Sequence, residues 1–277
     1  MTKNNLDLKT VEGFGVEWAR FDQSKLAEAE FDDLFENYFG IFDFGRLDPG
    51  AVGFDAGCGS GRWARGVAPR VGLLHCVDAS GPALDVARAS LTHLSNCRFH
   101  LASVDDMPIA DGTMDFGYSL GVLHHLPNPG AGLKSCAAKL KRGAPFLVYL
   151  YYAFDNRPAW FRMLWRVSNT GRLVIARLPA RLRVVLADIT AALVYLPIAR
   201  TARVLERFGY DVSSFPLAFY RRLSFYTMRT DALDRFGTRV EHRFTRRQIA
   251  EMMKTAGLVD IRFSDRAPYW CAVGIRE

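Results

Sequence analysis

The sequence predicts an α/β chain in which a mostly parallel sheet carries helices on both faces. Three observations predict it. Strand-like apolar runs alternate with helical repeats from residue 50 to 152. The first run ends in Asp55 and passes into three alternating glycines, Gly57, Gly59 and Gly61. A second run ends in another acid, Asp78, about 20 residues past that loop, the interval of a ribose-binding carboxylate.

Taken in order, residues 25–39 place Leu26, Phe31, Leu34, Phe35 and Tyr38 at helical spacing, with Phe14, Trp18 and Phe21 ahead of them. Ala51 to Asp55 reads as a short strand. The glycines after it lack a β-carbon, so the turn can take positive φ and a ligand can approach bare backbone. A helix starting near Arg62 would aim its free N–H groups at the same spot. Strands are expected near 52–55, 73–77, 97–101, 115–119 and 145–151, and helices near 62–69, 81–92 and 129–140. A last helix at 246–256, stopped by Gly257, precedes strands near 259–264 and 269–275, which gives seven strands. Ala267-Pro268 separates that closely spaced pair, so the final strand is expected to run antiparallel.

Between the fifth strand and the last helix lie roughly 93 residues, from Ala153 to Thr245. A crossover needs only about a dozen. The segment reads as a mostly helical insertion, with helices at 158–168, 180–208 broken at Pro197, 216–228 and 231–236. The organisation expected is therefore an N-terminal helical segment at 1–44, a core at 45–152, the insertion at 153–245, and a helix and strand pair at 246–277 that complete the core. The stretch 182–199 is apolar but contains Arg183, Asp188 and Pro197, which argues against a membrane span. A buried cap helix, a dimer contact and a membrane-surface face remain open, in that order.

The chain has 277 residues, of which 49% are hydrophobic, enough for a sizeable α/β core and an elaboration. Met1 to Asp7 lack the apolar centre of a secretion signal, and five cysteines form no Cys-x-x-Cys pair, which fits a reducing cytoplasm. Charge is uneven: residues 1–150 hold 14 Lys and Arg against 18 Asp and Glu, residues 151–277 hold 22 against 11. Every cation of the second half except Lys254 is arginine, which suits bidentate contact with an anion but also solvated helix faces.

The loop decides the cofactor class. A nicotinamide fingerprint starting at Gly57 would need glycine at Arg62; starting at Gly59 it would meet Ala64 in its third slot. The better frame is Asp-x-Gly-x-Gly-x-Gly. Four segments in order, Asp55 to Gly61, Leu73 to Asp78, Arg98 to Asp115, and Ser119-Leu-Gly-Val-Leu-His-His-Leu-Pro127, resemble the class I S-adenosylmethionine-dependent methyltransferases. The resemblance covers roughly 45–152 and resumes over about 246–277. It implies a doubly wound, Rossmann-like core with an antiparallel last strand and a helical cap insertion forming the acceptor site. It also implies S-adenosylmethionine held by Asp55, Gly57, Gly59, Gly61, Asp78, Ala79, Ser103, Val104 and Leu120, with Trp18 from an N-terminal segment that closes over it. Ser103 stands where the family usually has an acid near the adenine amino group, with Asp105 and Asp106 as possible substitutes.

Methyl transfer to a hydroxyl needs a base near neutral pH, and histidine fits. His125 is the first candidate and His124 the second; either could instead cap or pack. Tyr151, Tyr152, Arg235 and Arg243 are candidates for binding the acceptor, the arginines for an anionic group on it. No metal-ligand set is expected. The absence of an Asp-Pro-Pro-Tyr-like segment after strand four argues against nucleic acid as substrate. The expectation is a cytoplasmic monomer or homodimer that methylates a small or lipid-linked acceptor, most readily at oxygen. Transfer to carbon or nitrogen, a nicotinamide-dependent oxidoreductase, and a non-catalytic binding protein are the alternatives.

Overall fold

A computed structural model describes residues 5–277; residues 1–4, part of the N-terminal segment on which the absence of a secretion signal was read, lie outside the described residues. In chain order, α1 (Leu8–Arg20) and α2 (Glu28–Phe39) precede β1 (Val52–Ala56) and α3 (Arg62–Val67). Then come β2 (Leu73–Asp78), α4 (Gly81–Ser90), β3 (Cys97–Leu101), β4 (Phe116–Leu120), α5 (Pro129–Lys139) and β5 (Pro145–Tyr149). Four further helices follow: α6 (Ala159–Ile175), α7 (Ala180–Thr190), α8 (Leu196–Arg207) and α9 (Phe225–Gly237). The chain closes with α10 (Arg246–Thr255), β6 (Leu258–Phe263) and β7 (Cys271–Arg276).

The seven strands form one sheet in the order β3-β2-β1-β4-β5-β7-β6. Neighbours are parallel through β5, and β7 runs antiparallel to both β5 and β6. This is the doubly wound architecture expected from the alternating runs. Strand order reverses between β1 and β4, so the connections leave a crevice at the carboxyl ends of those strands. The centre of the sheet is apolar on both faces: Phe54, Leu74, Phe116, Phe146 and Leu147 are fully buried. Two strand glycines admit this packing: a β-carbon at Gly53 would lie 2.2 Å from the Phe116 ring, and one at Gly117 2.4 Å from the Phe54 ring.

The chain divides into two compact units. Among the described residues, the first comprises 5–24, 32–153 and 240–277, the second 25–31 and 154–239. Residues 5–24 thus group with the sheet instead of forming a separate cap, and 240–245 group with the core rather than with the insertion. Within the first unit the aromatic N-terminal segment splits by role. Tyr38 and Phe39 on α2 pack as core, with Tyr38 4.6 Å from Trp63 and Phe39 5.2 Å from Tyr118 between ring centroids. Helix α1 lies against α4, where a β-carbon at Gly15 would come within 3.0 Å of the Ser80 hydroxyl.

The second unit is helical, with different breaks from those expected. Helix continues from Ala180 to Arg207 because a π-helical turn at Ala191–Tyr195 precedes Pro197, which then sits in the first turn of α8. Pro197 has no N–H to donate to the ladder of this unbroken helix, and it stands just after the π turn, where the regular α pattern is already interrupted. The helix expected at 216–228 is instead a short 3-10 turn at Ala218–Arg222, followed by α9. Leu217 adopts left-handed backbone with φ 56°, and Ser224 caps α9 by accepting from the Thr227 N–H. Many arginines here serve as internal staples. Arg172 donates to the Thr238 carbonyl, Arg200 to those of Arg221 and Leu223, and Arg229 pairs with Asp188 through two hydrogen bonds of 2.8 and 2.9 Å.

Candidate active site

The loop after β1 is built by its glycines. Gly57, Gly59 and Gly61 all hold positive φ, at 85°, 53° and 77°. A β-carbon at Gly57 would strike Val122 at 2.4 Å, one at Gly59 the Trp18 indole at 2.9 Å, and one at Gly61 Leu91 at 2.8 Å. The space that β-carbons would need here is taken by the protein's own packing, so what the loop presents is bare backbone. The Gly57 and Cys58 N–H groups both donate to the Val77 carbonyl, fastening the loop to the end of β2.

Beside this loop lies a cleft with an empty volume of about 860 Å³, the open solvent at its mouth included. It is walled by the segments that follow β1, β2, β3 and β4 and by α1. Gly57, Gly59, Asp78, Ala79, Val104, Leu120, His125 and Trp18 all line it. Asp55 and Gly61 stand just behind. Sequence reading did not single out Val11, Ala102, Val122 or Leu126 as cavity residues, and nothing but apolar character marks them. Phe14 also lines the cleft, with its ring edge-on to His125 at 5.0 Å.

Two carboxylates organise the polar end. Asp78 accepts from the Gly59 N–H and the Ser80 N–H, each at 2.8 Å. Burial raises its pKa, while bonds from the Ser80, Gly59 and Ala79 amides work the other way. A carboxylate has about four lone-pair sites, so Asp78 can serve these amides and still accept from a diol. Ser80, not Asp78, caps α4. Asp55 is 1% exposed, and neither of its oxygens completes a hydrogen bond. Its pKa is raised well above the ordinary carboxylate value by desolvation, opposed by the Tyr118 hydroxyl beside it.

These features fit S-adenosylmethionine. The group carries a ribose diol to meet Asp78, a cationic amine to be favoured by a nearby acid, and an adenine that can pack against the apolar wall of Ala102 and Val104. A buried acid whose desolvation outweighs its partners has a measurable signature. A group whose folded pKa is raised costs nothing below the unfolded value, where it is protonated in both states, and costs progressively more as pH rises toward its folded pKa. Asp55→Asn is therefore expected to raise the melting temperature of the ligand-free protein, most at neutral pH and not at all below about pH 4. The same change should weaken S-adenosylhomocysteine binding by about tenfold or more. Melting curves across pH and a binding titration check both parts.

Other candidates stand elsewhere. Ser103 does not line the cleft, although its neighbours 102 and 104 do, because alternate residues of extended chain face opposite ways. Asp105 accepts instead from the Ser135 hydroxyl at 3.4 Å, and neither it nor Asp106 lines the cleft. His124 is fully buried behind the wall, stacked on Tyr151 at 3.8 Å, and neither of its ring nitrogens has a hydrogen bond. Desolvation, then His125, Arg243 and His242, hold its pKa well below the usual imidazole value. His125 differs: its Nδ1 is 2.7 Å from the Val240 carbonyl oxygen. That contact assigns the proton to Nδ1 and leaves Nε2 as the basic nitrogen.

None of the four acceptor candidates lines the cleft. Tyr151 is sandwiched between His124 and the Arg243 guanidinium, which lies 4.9 Å from its ring centre. Tyr152 pairs with Phe244 in an isolated parallel bridge. Arg243 is engaged by Glu241 at 2.7 Å in a nearly buried ion pair and by the Tyr152 carbonyl. Arg235 belongs to the second unit and donates to the Ser168 hydroxyl. All four thus have internal roles that a sequence pattern does not reveal.

Comparison with known proteins agrees with this geometry. Residues 54–148 match the methyltransferase domain family, and the match spans β1 through β5. The chain is similar to the ubiquinone biosynthesis O-methyltransferase of Xanthomonas campestris pv. campestris (strain B100), 31% identical over 133 residues, covering 47% of this chain and 52% of that protein. It is likewise similar to the enzyme of that name from Xanthomonas axonopodis pv. citri, 32% identical over 137 residues, with 48% and 54% covered. The chain thus spans about half the length of the curated relatives it matches. In fold it resembles one chain of the complex between the Haloferax volcanii Trm112 methyltransferase activator and a methyltransferase, with a TM-score of 0.53, 15% identity, and 95% and 96% of the two chains covered. A methyltransferase structure from Bacillus halodurans aligns with a TM-score of 0.50 and 14% identity over 85% and 72%. Residues 54–148 form a methyltransferase domain of the class I, S-adenosylmethionine-dependent family.

Proposed function

We propose that this chain methylates a hydroxyl of a small or lipid-linked acceptor, with S-adenosylmethionine as donor and His125 as the base. When bound, S-adenosylmethionine supplies the methyl group on an activated sulfonium, so the protein's own work is alignment, exclusion of water and removal of a proton. The observation that carries this reading is the placement of His125. It follows β4, lines the cleft, and is held by the Val240 carbonyl in the tautomer whose Nε2 is basic. In that role Nε2 takes the hydroxyl proton of the acceptor, and the Nδ1 contact orients the ring and stabilises the imidazolium. Phe14 and Leu126 help keep water from the cleft. The similarity to O-methyltransferases of ubiquinone biosynthesis supports oxygen as the accepting atom.

The test is to incubate the chain with methyl-labelled S-adenosylmethionine and phenolic acceptors, and to locate the label in the product by mass spectrometry and NMR. An O-methyl ether is expected. Label on carbon or nitrogen, or none on any hydroxyl-bearing acceptor, would refute the O-methylation reading.

A further inference from the structure

The second unit leaves an unusual amount of apolar surface uncovered. The continuous helix from Ala180 to Arg207 is 28 residues long, with mean hydropathy 1.8 over its most apolar window, yet only 22% of that window is buried. Sequence reading ranked a buried cap helix first for this stretch, and the structure corrects that. Its exposed apolar residues, Leu182, Val185, Ile189, Leu193 and Val204, recur at helical spacing along one stripe, with Leu193 72% exposed. Phe208, just past its end, is 76% exposed. Helix α6 has a comparable face in Trp160, Met163, Val167 and Val174.

By length and composition the 180–207 helix could cross a bilayer, but its other side is committed. Ala187, Ala191, Tyr195, Ala199 and Ala202 form a fully buried stripe, and Asp188 holds Arg229 of α9 in a two-hydrogen-bond ion pair. A spanning orientation would strip that stripe from its packing and drag the pair into hydrocarbon. One packed side and one bare apolar side describe a helix that lies on an interface.

The charge indicates which interface. Between Asp155 and Asp188 the chain has seven arginines and no acidic residue. Exposed arginines flank the bare stripe, with Arg181 at its start and Arg203 and Arg207 at its end, and Arg166 and Arg177 are exposed along and after α6. A two-fold contact between copies would set identical patches face to face and oppose these cations. A surface of anionic headgroups instead neutralises them while accepting the apolar residues between them.

We infer that the exposed apolar stripe of residues 182–208, with its flanking arginines, docks the second unit onto the surface of a bilayer that contains anionic lipid. The inference is independent of the reaction performed in the other unit.

Flotation of the full chain with vesicles tests it. Binding to mixed phosphatidylcholine and phosphatidylglycerol vesicles is expected, weaker binding to phosphatidylcholine alone, and release as salt is raised. Val185→Asp with Leu193→Asp should reduce the bound fraction about tenfold or more, while circular dichroism and S-adenosylhomocysteine binding stay unchanged. If that double variant is unstable, Leu193→Ser should weaken flotation in the same direction. Arg181→Gln, Arg203→Gln and Arg207→Gln together should remove the preference for phosphatidylglycerol. No flotation with anionic vesicles, or flotation indifferent to the changes at 185 and 193, would overturn the inference. So would a concentration-dependent dimer that those changes dissociate in a protein that ignores vesicles.

Discussion

Asp78→Ala is expected to weaken S-adenosylhomocysteine binding by about 1.5–3 kcal/mol, the value of hydrogen bonds to a charged group. Two effects add in the same direction. The carboxylate lies on the cleft wall with acceptor capacity left after its bonds from Gly59 and Ser80, so its loss removes the partner for a ribose diol. It also removes the acceptor that fixes the Gly59 amide, at a residue whose φ of 53° is already in the left-handed region. Asp78→Asn separates the two, because its remaining oxygen can hold one amide but the charge is gone. An Asn variant between wild type and Ala is expected in a calorimetric titration. Unchanged affinity in the alanine variant would mean that the ribose lies elsewhere.

His125→Ala is expected to lower turnover about 100-fold or more, the usual contribution of a general base, with little change in S-adenosylhomocysteine affinity. The ring also packs edge-on against Phe14, so some loss could come from disturbed packing. His125→Asn keeps most of that volume and a group able to donate toward the Val240 carbonyl, but no base. If Asn and Ala variants lose turnover alike, proton removal is the reason. If Asn works nearly normally, His125 is a packing residue and the base must be sought elsewhere. His124→Ala serves as a contrast: its effect should fall on melting temperature, because the residue is buried against Tyr151 and faces away from the cleft.

What the sequence reveals of this molecule is the part written in local chemistry. The β1 loop is legible because three positive-φ turns within five residues require glycine whatever packs around them. The acids at the ends of β1 and β2 are legible because a carboxylate closing an apolar strand is costly without a function. Less legible is which of two adjacent residues faces the cleft. Ser103 and Ala102, and His124 and His125, differ by one position, and backbone direction rather than residue type assigns one of each pair to the wall. The arginines were the least legible. Arg235 and Arg243 have the chemistry of anion binders, but their partners, Ser168 and Glu241 with Tyr152, are set by tertiary placement. The insertion's helix limits were missed for a similar reason. Pro197 breaks a regular α-helix, but a preceding π turn carries the chain through it.

The central claim is that the hollow beside Gly57–Gly61, with Asp78 on its wall, receives S-adenosylmethionine. Calorimetric titration of the full chain with S-adenosylhomocysteine, and separately with a nicotinamide dinucleotide, tests it most directly. Saturable one-site heat with the first and no comparable heat with the second is the predicted result; the reverse would contradict it.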